Sequence, residues 1–95
     1  MAEGLPLPYP PLWTATKLGQ MDVVRKLLED GADIQEKGGL DDTTPLHQAA
    51  RYGREQIMQL LIEHETDVSA KATGGVTPLH TAASKGREAV ALLLI

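Results

Sequence analysis

Apolar positions in this chain fall in short clusters that return at a nearly fixed interval. Val23, Val24, Leu27 and Leu28 lie on one face of a helix, and Ile57, Met58, Leu61 and Ile62 repeat the set 34 residues later. A third cluster, AVALLLI, fills positions 89–95. Each cluster follows another short apolar stretch, and aligning Leu12, Leu46 and Leu79 brings three rows into register. The first step is 34 residues and the second 33, so KGGLDD at 37–42 carries one extra residue. Its glycines suit a loop, where an insertion is tolerated.

Every row predicts two short helices. Pro45 and Pro78 fit a first turn, where the missing N–H would have no partner. Thr44 and Thr77, just before them, can cap through a hydroxyl. Gly19, Gly53 and Gly86 end the first helix by turning through positive φ. The second helix starts near Asp22, Glu55 and Glu88, acids that favour a helix N-terminus; Gly31 closes it in the first row. Helices this short are marginal alone, so row must lean on row. Ala49, Ala50, Ala82 and Ala83 keep the first helix slim enough for that approach. Residues 1–10 are proline-rich and predict an extended lead-in. Residues 11–95 form the repeat domain, with row one about 11–42, row two about 43–75 and a partial row three at 76–95.

Composition narrows the chemistry. The chain has 95 residues, 42% of them apolar, with no phenylalanine and only Tyr9, Trp13 and Tyr52 as aromatics. Its core must be built from Leu, Val, Ile and Ala. A net charge of −4 without long runs makes nucleic acid a poor partner. The absence of cysteine removes disulfides, thiolate nucleophiles and zinc–sulfur sites. There is no secretory signal pattern, and no stretch nears the ~18 apolar residues of a membrane span, so no membrane role and a cytoplasmic or nuclear setting are expected.

A 33-residue period carrying TPLHQAA at 44–50 and TPLHTAA at 77–83 resembles the ankyrin-repeat family, and LLEDGADI at 27–34 resembles its second-helix ending. The likeness runs over about residues 11–95. It implies an all-α solenoid of antiparallel helix pairs with β-turn finger loops. It also implies a non-enzymatic module that binds another protein through the concave face made by fingers and first helices, without a cofactor. Pro11, Leu12 and Trp13 replace T-P-L-H in the first row, which reads as an N-terminal cap. Glu65 and Thr66 replace the Gly31–Ala32 pair, predicting a distorted or weaker turn. The chain has no asparagine; Gln35 and Ser69 stand where the family often carries one, which excludes the asparaginyl hydroxylation of some relatives. The third row stops at Ile95 without a polar outer face, which predicts a fragment or short isoform, or pairing through a bare apolar end.

Candidate catalytic or metal-binding residues have plainer readings. His47 and His80 recur with the period, so they serve the repeat by bonding the nearby Thr. His64, between Glu63 and Glu65, reads as a solvated helix end. Ser69 and Ser84 sit in no G-x-S-x-G elbow. The glycine pairs at 38–39 and 74–75 precede no G-K-[ST] and serve turns. Asp41 and Asp42 lack calcium-loop spacing. Pro8 and Pro11 have P-x-x-P spacing with no basic flank, and a lead-in explains them as well.

What varies between rows is free to address a partner. The pairs before each glycine, Lys17–Leu18, Arg51–Tyr52 and Ser84–Lys85, are expected on the concave side. Tyr9, Thr43 and Val76 are expected on the fingers, with Asp41 and Thr73 near the tips. Arg51 and Tyr52 lead, because Arg and Tyr dominate interface energetics. Lys17, Arg51 and Lys85 point to a partner of some acidic character. Two alternatives stand beside this reading: a targeting or scaffolding segment of a larger enzyme or signalling protein, and a self-associating truncated fragment.

Overall fold

The computed structural model describes residues 11–95; the lead-in, with Tyr9 and Pro8 of the P-x-x-P spacing, lies outside the described residues. Among those described there are six α-helices and no strand: α1 Pro11–Leu18, α2 Met21–Glu29, α3 Pro45–Tyr52, α4 Glu55–Glu63, α5 Pro78–Ser84 and α6 Glu88–Leu94. The all-α solenoid expected from the repeats is what forms. α1, α3 and α5 pack side by side as an inner layer, and α2, α4 and α6 form the outer layer behind them. Between α2 and α3 the chain makes a finger closed by the Gly38–Thr43 bridge. Between α4 and α5 a second finger ends in a 3-10 turn at Thr73–Gly75.

The caps show why these segments are helical. Thr44 and Thr77 are extended, and each side chain accepts from the backbone N–H of His47 or His80. Each histidine answers through Nδ1, which accepts from the Thr44 or Thr77 N–H at 3.1 Å. This is a capping box in which imidazole takes the place usually held by Glu or Gln. The periodic histidines thus have the structural role assigned to them. Two orphan N–H groups at the starts of α3 and α5 are satisfied locally.

Row-to-row contact supplies the core. Leu12, Leu46, Met58, Leu61, Val24 and Val90 are fully buried, with Ala15, Ala49, Ala50 and Ala82 allowing the close approach. Side chains then stitch rows together through backbone carbonyls. Arg54 donates to the Lys17 carbonyl at 3.0 Å, and Arg87 donates to the Arg51 carbonyl at 3.1 Å. Gly19 and Gly53 leave the room for this: a Cβ on Gly19 would stand 2.9 Å from the Arg54 guanidinium. Lys37 donates to the Lys71 carbonyl, and the Gln35 Oε1 accepts from Thr66 Oγ1 and the Asp67 N–H.

His47 makes a further stitch. The Val76 carbonyl can only accept, so Nε2 carries the proton and donates across 2.7 Å. Nδ1 then accepts from the Thr44 N–H at 3.1 Å and lies 2.9 Å from the Thr44 hydroxyl. Burial holds the His47 imidazole below its ordinary range; the Val76 carbonyl opposes that, and Lys37 adds a smaller push downward.

The distorted turn expected at Glu65 does not form. Glu65 adopts φ 61°, its N–H reaches the Ile62 carbonyl at 3.0 Å, and the Thr66 N–H reaches Leu61 at 3.3 Å. Gly31 and Ala32 make the same two bonds at 3.1 and 2.9 Å. The geometry is kept and the cost is carried in the dihedral of a residue with a Cβ. Asp42, at φ 58°, is a second such residue, though Asp tolerates that region better.

Two outcomes follow. Glu65→Gly raises the melting temperature by about 4–8 °C, the shift that relief of about 1 kcal/mol gives a domain this size; an unchanged or lower value refutes the strain. The His47 term favours the neutral ring, so its contribution is complete above the unfolded value of about 6.5 and is lost as pH falls below it. Thermal melts from neutral to mildly acidic pH should therefore slope less steeply in His47→Gln than in the parent, and parallel slopes would refute the assignment.

Candidate functional site

The fingers and inner helices enclose a groove of three adjoining hollows. The first, about 270 Å³, lies between the first finger and the ends of α1 and α3, lined by Trp13, Lys17, Leu40 and Tyr52. The second, about 290 Å³, runs beneath both fingers over Gln48, Thr73 and Val76. The third, about 400 Å³, lies between the second finger and α5, over His80, Ser84 and Lys85. Arg51 lines all three.

Charge is sorted between the layers. α1, α3 and α5 contain no Asp or Glu; with the residue after α5 they present Lys17, Arg51 and Lys85. The outer helices hold Asp22, Glu29, Glu55, Glu63 and Glu88. A chain of net charge −4 thereby offers a cationic inner face. The acid that enters the groove is Asp41, whose carboxylate stands 4.0 Å from Arg51. Both side chains are substantially exposed, so the pair is weak.

Most of the residues expected on this face are found there. Lys17 and Tyr52 are half-buried in the first hollow, Leu18 is 55% exposed, and Ser84 and Lys85 are exposed on the third. Arg51 stacks its guanidinium 5.8 Å from the Tyr52 ring centroid, and Lys17 sits 5.7 Å over Trp13. These contacts pre-order cations that would otherwise lose freedom on binding. Val76 is 37% exposed on the second finger while its carbonyl is held by His47.

Thr43, expected on the finger, lines the first and second hollows but is only 9% exposed, because its hydroxyl is engaged with the frame. Its Oγ1 accepts from Trp13 Nε1 at 3.0 Å and lies 3.2 Å from Gln48 Oε1 and 3.3 Å from the Gly38 carbonyl, both acceptors for its proton. Thr43 therefore fastens the finger to α1 and α3, and its role is to position the groove wall. The indole that holds it is the first-row departure read as a cap.

Leu40 was missed. It is 99% exposed at the first finger tip, beside Gly39, whose pro-Cβ position lies 3.0 Å from the Trp13 ring. Its signal was a large apolar side chain inside a loop of Gly and Asp, at a position no core periodicity requires. Arg54 and Arg87 were also missed; their signal is the G-R-E triplet at 53–55 and 86–88.

Comparison with known proteins agrees with the geometry. A family model described as ankyrin repeats (3 copies) matches residues 12–95. A stretch of 63 residues is 48% identical to ankyrin repeat and SOCS box protein 5 of Bos taurus, covering 66% of this chain and 18% of that protein. Ankyrin repeat and SOCS box protein 9 of Homo sapiens is 40% identical over 65 residues, 68% of this chain and 21% of the relative. The human 2-5A-dependent ribonuclease is 41% identical over 58 residues, 58% of this chain and 7% of its own length. The chain thus spans about a fifth or less of these relatives.

Proposed function

Because the chain belongs to the ankyrin-repeat family, whose repeats mediate protein–protein contacts, we propose that it is a non-catalytic module that binds its partner in the groove between fingers and inner helices. The observation that carries this is the sorting of charge: the inner layer has cations and no acids, along a groove edged by the exposed Leu40. An acidic segment with apolar side chains matches that surface. Similar repeats occur in relatives as different as SOCS-box proteins and a ribonuclease, which supports a role in binding separable from the chemistry of the whole protein. A place within a larger enzyme or signalling protein is part of this proposal.

A second reading rests on the outer side of row three. Leu79 is 39% and Leu92 72% exposed, and Ala83 is exposed beside them. This apolar surface supports pairing with a second copy.

The two are separable. Replacing both Arg51 and Tyr52 by alanine should weaken capture of groove partners by roughly thirtyfold or more, since truncating an interface hot spot costs about 2 kcal/mol. Arg25→Ala, on the outer layer, should leave capture and melting unchanged. Equal recovery by the double variant, still folded by circular dichroism, removes the groove reading. Light scattering over a concentration series tests pairing: dimers that disappear in Leu92→Lys support it, and a monomer throughout rejects it.

A further inference from the structure

The third hollow differs from the other two in the charge of its lining. No Asp or Glu reaches it. Arg51 enters from α3, His80 and Ser84 from α5, Lys85 from the residue after α5, and Gly74–Gly75 from the finger. The state of His80 is set by its cap: the Thr77 N–H donates to Nδ1, so the neutral ring carries its proton on Nε2. In His47 that proton is spent on the Val76 carbonyl; in the exposed His80 no described residue accepts it. Thr81 is different, because its hydroxyl is turned to the Thr77 carbonyl at 3.3 Å.

We propose that this hollow is a subsite for a phosphomonoester carried on a side chain of the docked protein. A phosphomonoester brings nearly two negative charges and three acceptor oxygens. The hollow offers two permanent cations, an imidazole N–H and the Ser84 hydroxyl, with Arg51 on α3 and the other three on α5 and the residue after it. Donors that surround an anion suit a tetrahedral group; a planar carboxylate, with two oxygens in one plane, reaches fewer of them. The volume of about 400 Å³ leaves room for the phosphate and the stem that carries it. Arg51 is available because its tie to Asp41 is long and exposed, a dianion outcompetes a single distant carboxylate, and stacking over Tyr52 engages the guanidinium face and none of its N–H donors. This inference rests on the groove being the docking face.

The test is an amide NMR titration of the chain with phenyl phosphate at about pH 7.5, above the second phosphate ionisation near 6, with benzoate as the planar comparison. Saturable shifts at Gly74, Gly75, Ser84 and Lys85, larger and at lower concentration for phenyl phosphate, are expected. Arg51→Gln and Lys85→Gln should each weaken the response about tenfold, the size of one charge-assisted hydrogen bond. Ser84→Glu, which places an acid in the hollow without touching either cation, should abolish it; Arg25→Gln should not change it. Equal responses to benzoate, or shifts spread over Arg25, Lys26 and Arg87, overturn the proposal. Partner capture that depends on Lys17 and Tyr52 with no phosphate response also overturns it while sparing the groove. A confined phosphate response with capture indifferent to Tyr52 supports the anion site and removes the groove reading instead.

Discussion

Burial of one row against the next is the constraint on which this structure depends. Leu46, His47 and Ala50 are fully buried; Leu79, His80 and Ala83, the same residue types at the same register one row later, are exposed. Nothing in their own helix explains the difference, because α3 and α5 share cap, proline and alanines. What differs is the neighbour: α5 lies over α3, and no described helix lies over α5. Helices of seven to nine residues do not persist alone in water. The stability of a row is therefore a property of two rows together.

That dependence explains where the chain can spend charge. A slim inner helix must give its buried stripe to Leu and Ala, leaving a narrow exposed edge over the groove. On all three inner helices this edge excludes acids, whereas the outer helices accept them in their first turns, where the backbone dipole favours them. The sorting turns an acidic molecule into one with a cationic concave side. Net charge alone does not describe that surface.

How far the residues themselves disclosed this differs by feature. Caps, prolines and glycines act within a few positions, so TPLH and the following Gly were readable without coordinates, and the helices fall where those signals stand. Glu65 was readable as a strained residue, but not that the turn would keep its hydrogen bonds. That the Thr43 hydroxyl is tied to the frame was not readable, because its indole partner Trp13 is 30 positions away. Arg54 and Arg87 escaped notice for the same reason: their partners are carbonyls 37 and 36 residues distant, invisible to any local pattern. Leu40 follows no period at all, so only its exposure singles it out.

The stitches between rows also leave side chains along the groove free to vary. Arg54 holds Lys17, Arg87 holds Arg51 and His47 holds Val76, in each case through the main-chain carbonyl. Every amino acid brings that carbonyl, whatever its side chain. Lys17, Arg51 and Val76 are thus anchored by the part of the residue that cannot change, while their side chains line the groove. Exchanging those side chains leaves these three stitches in place. Thr43 lacks this freedom, because there the side chain itself is the fastening. The two finger residues thus differ in what holds them: Val76 by its backbone, Thr43 by its side chain.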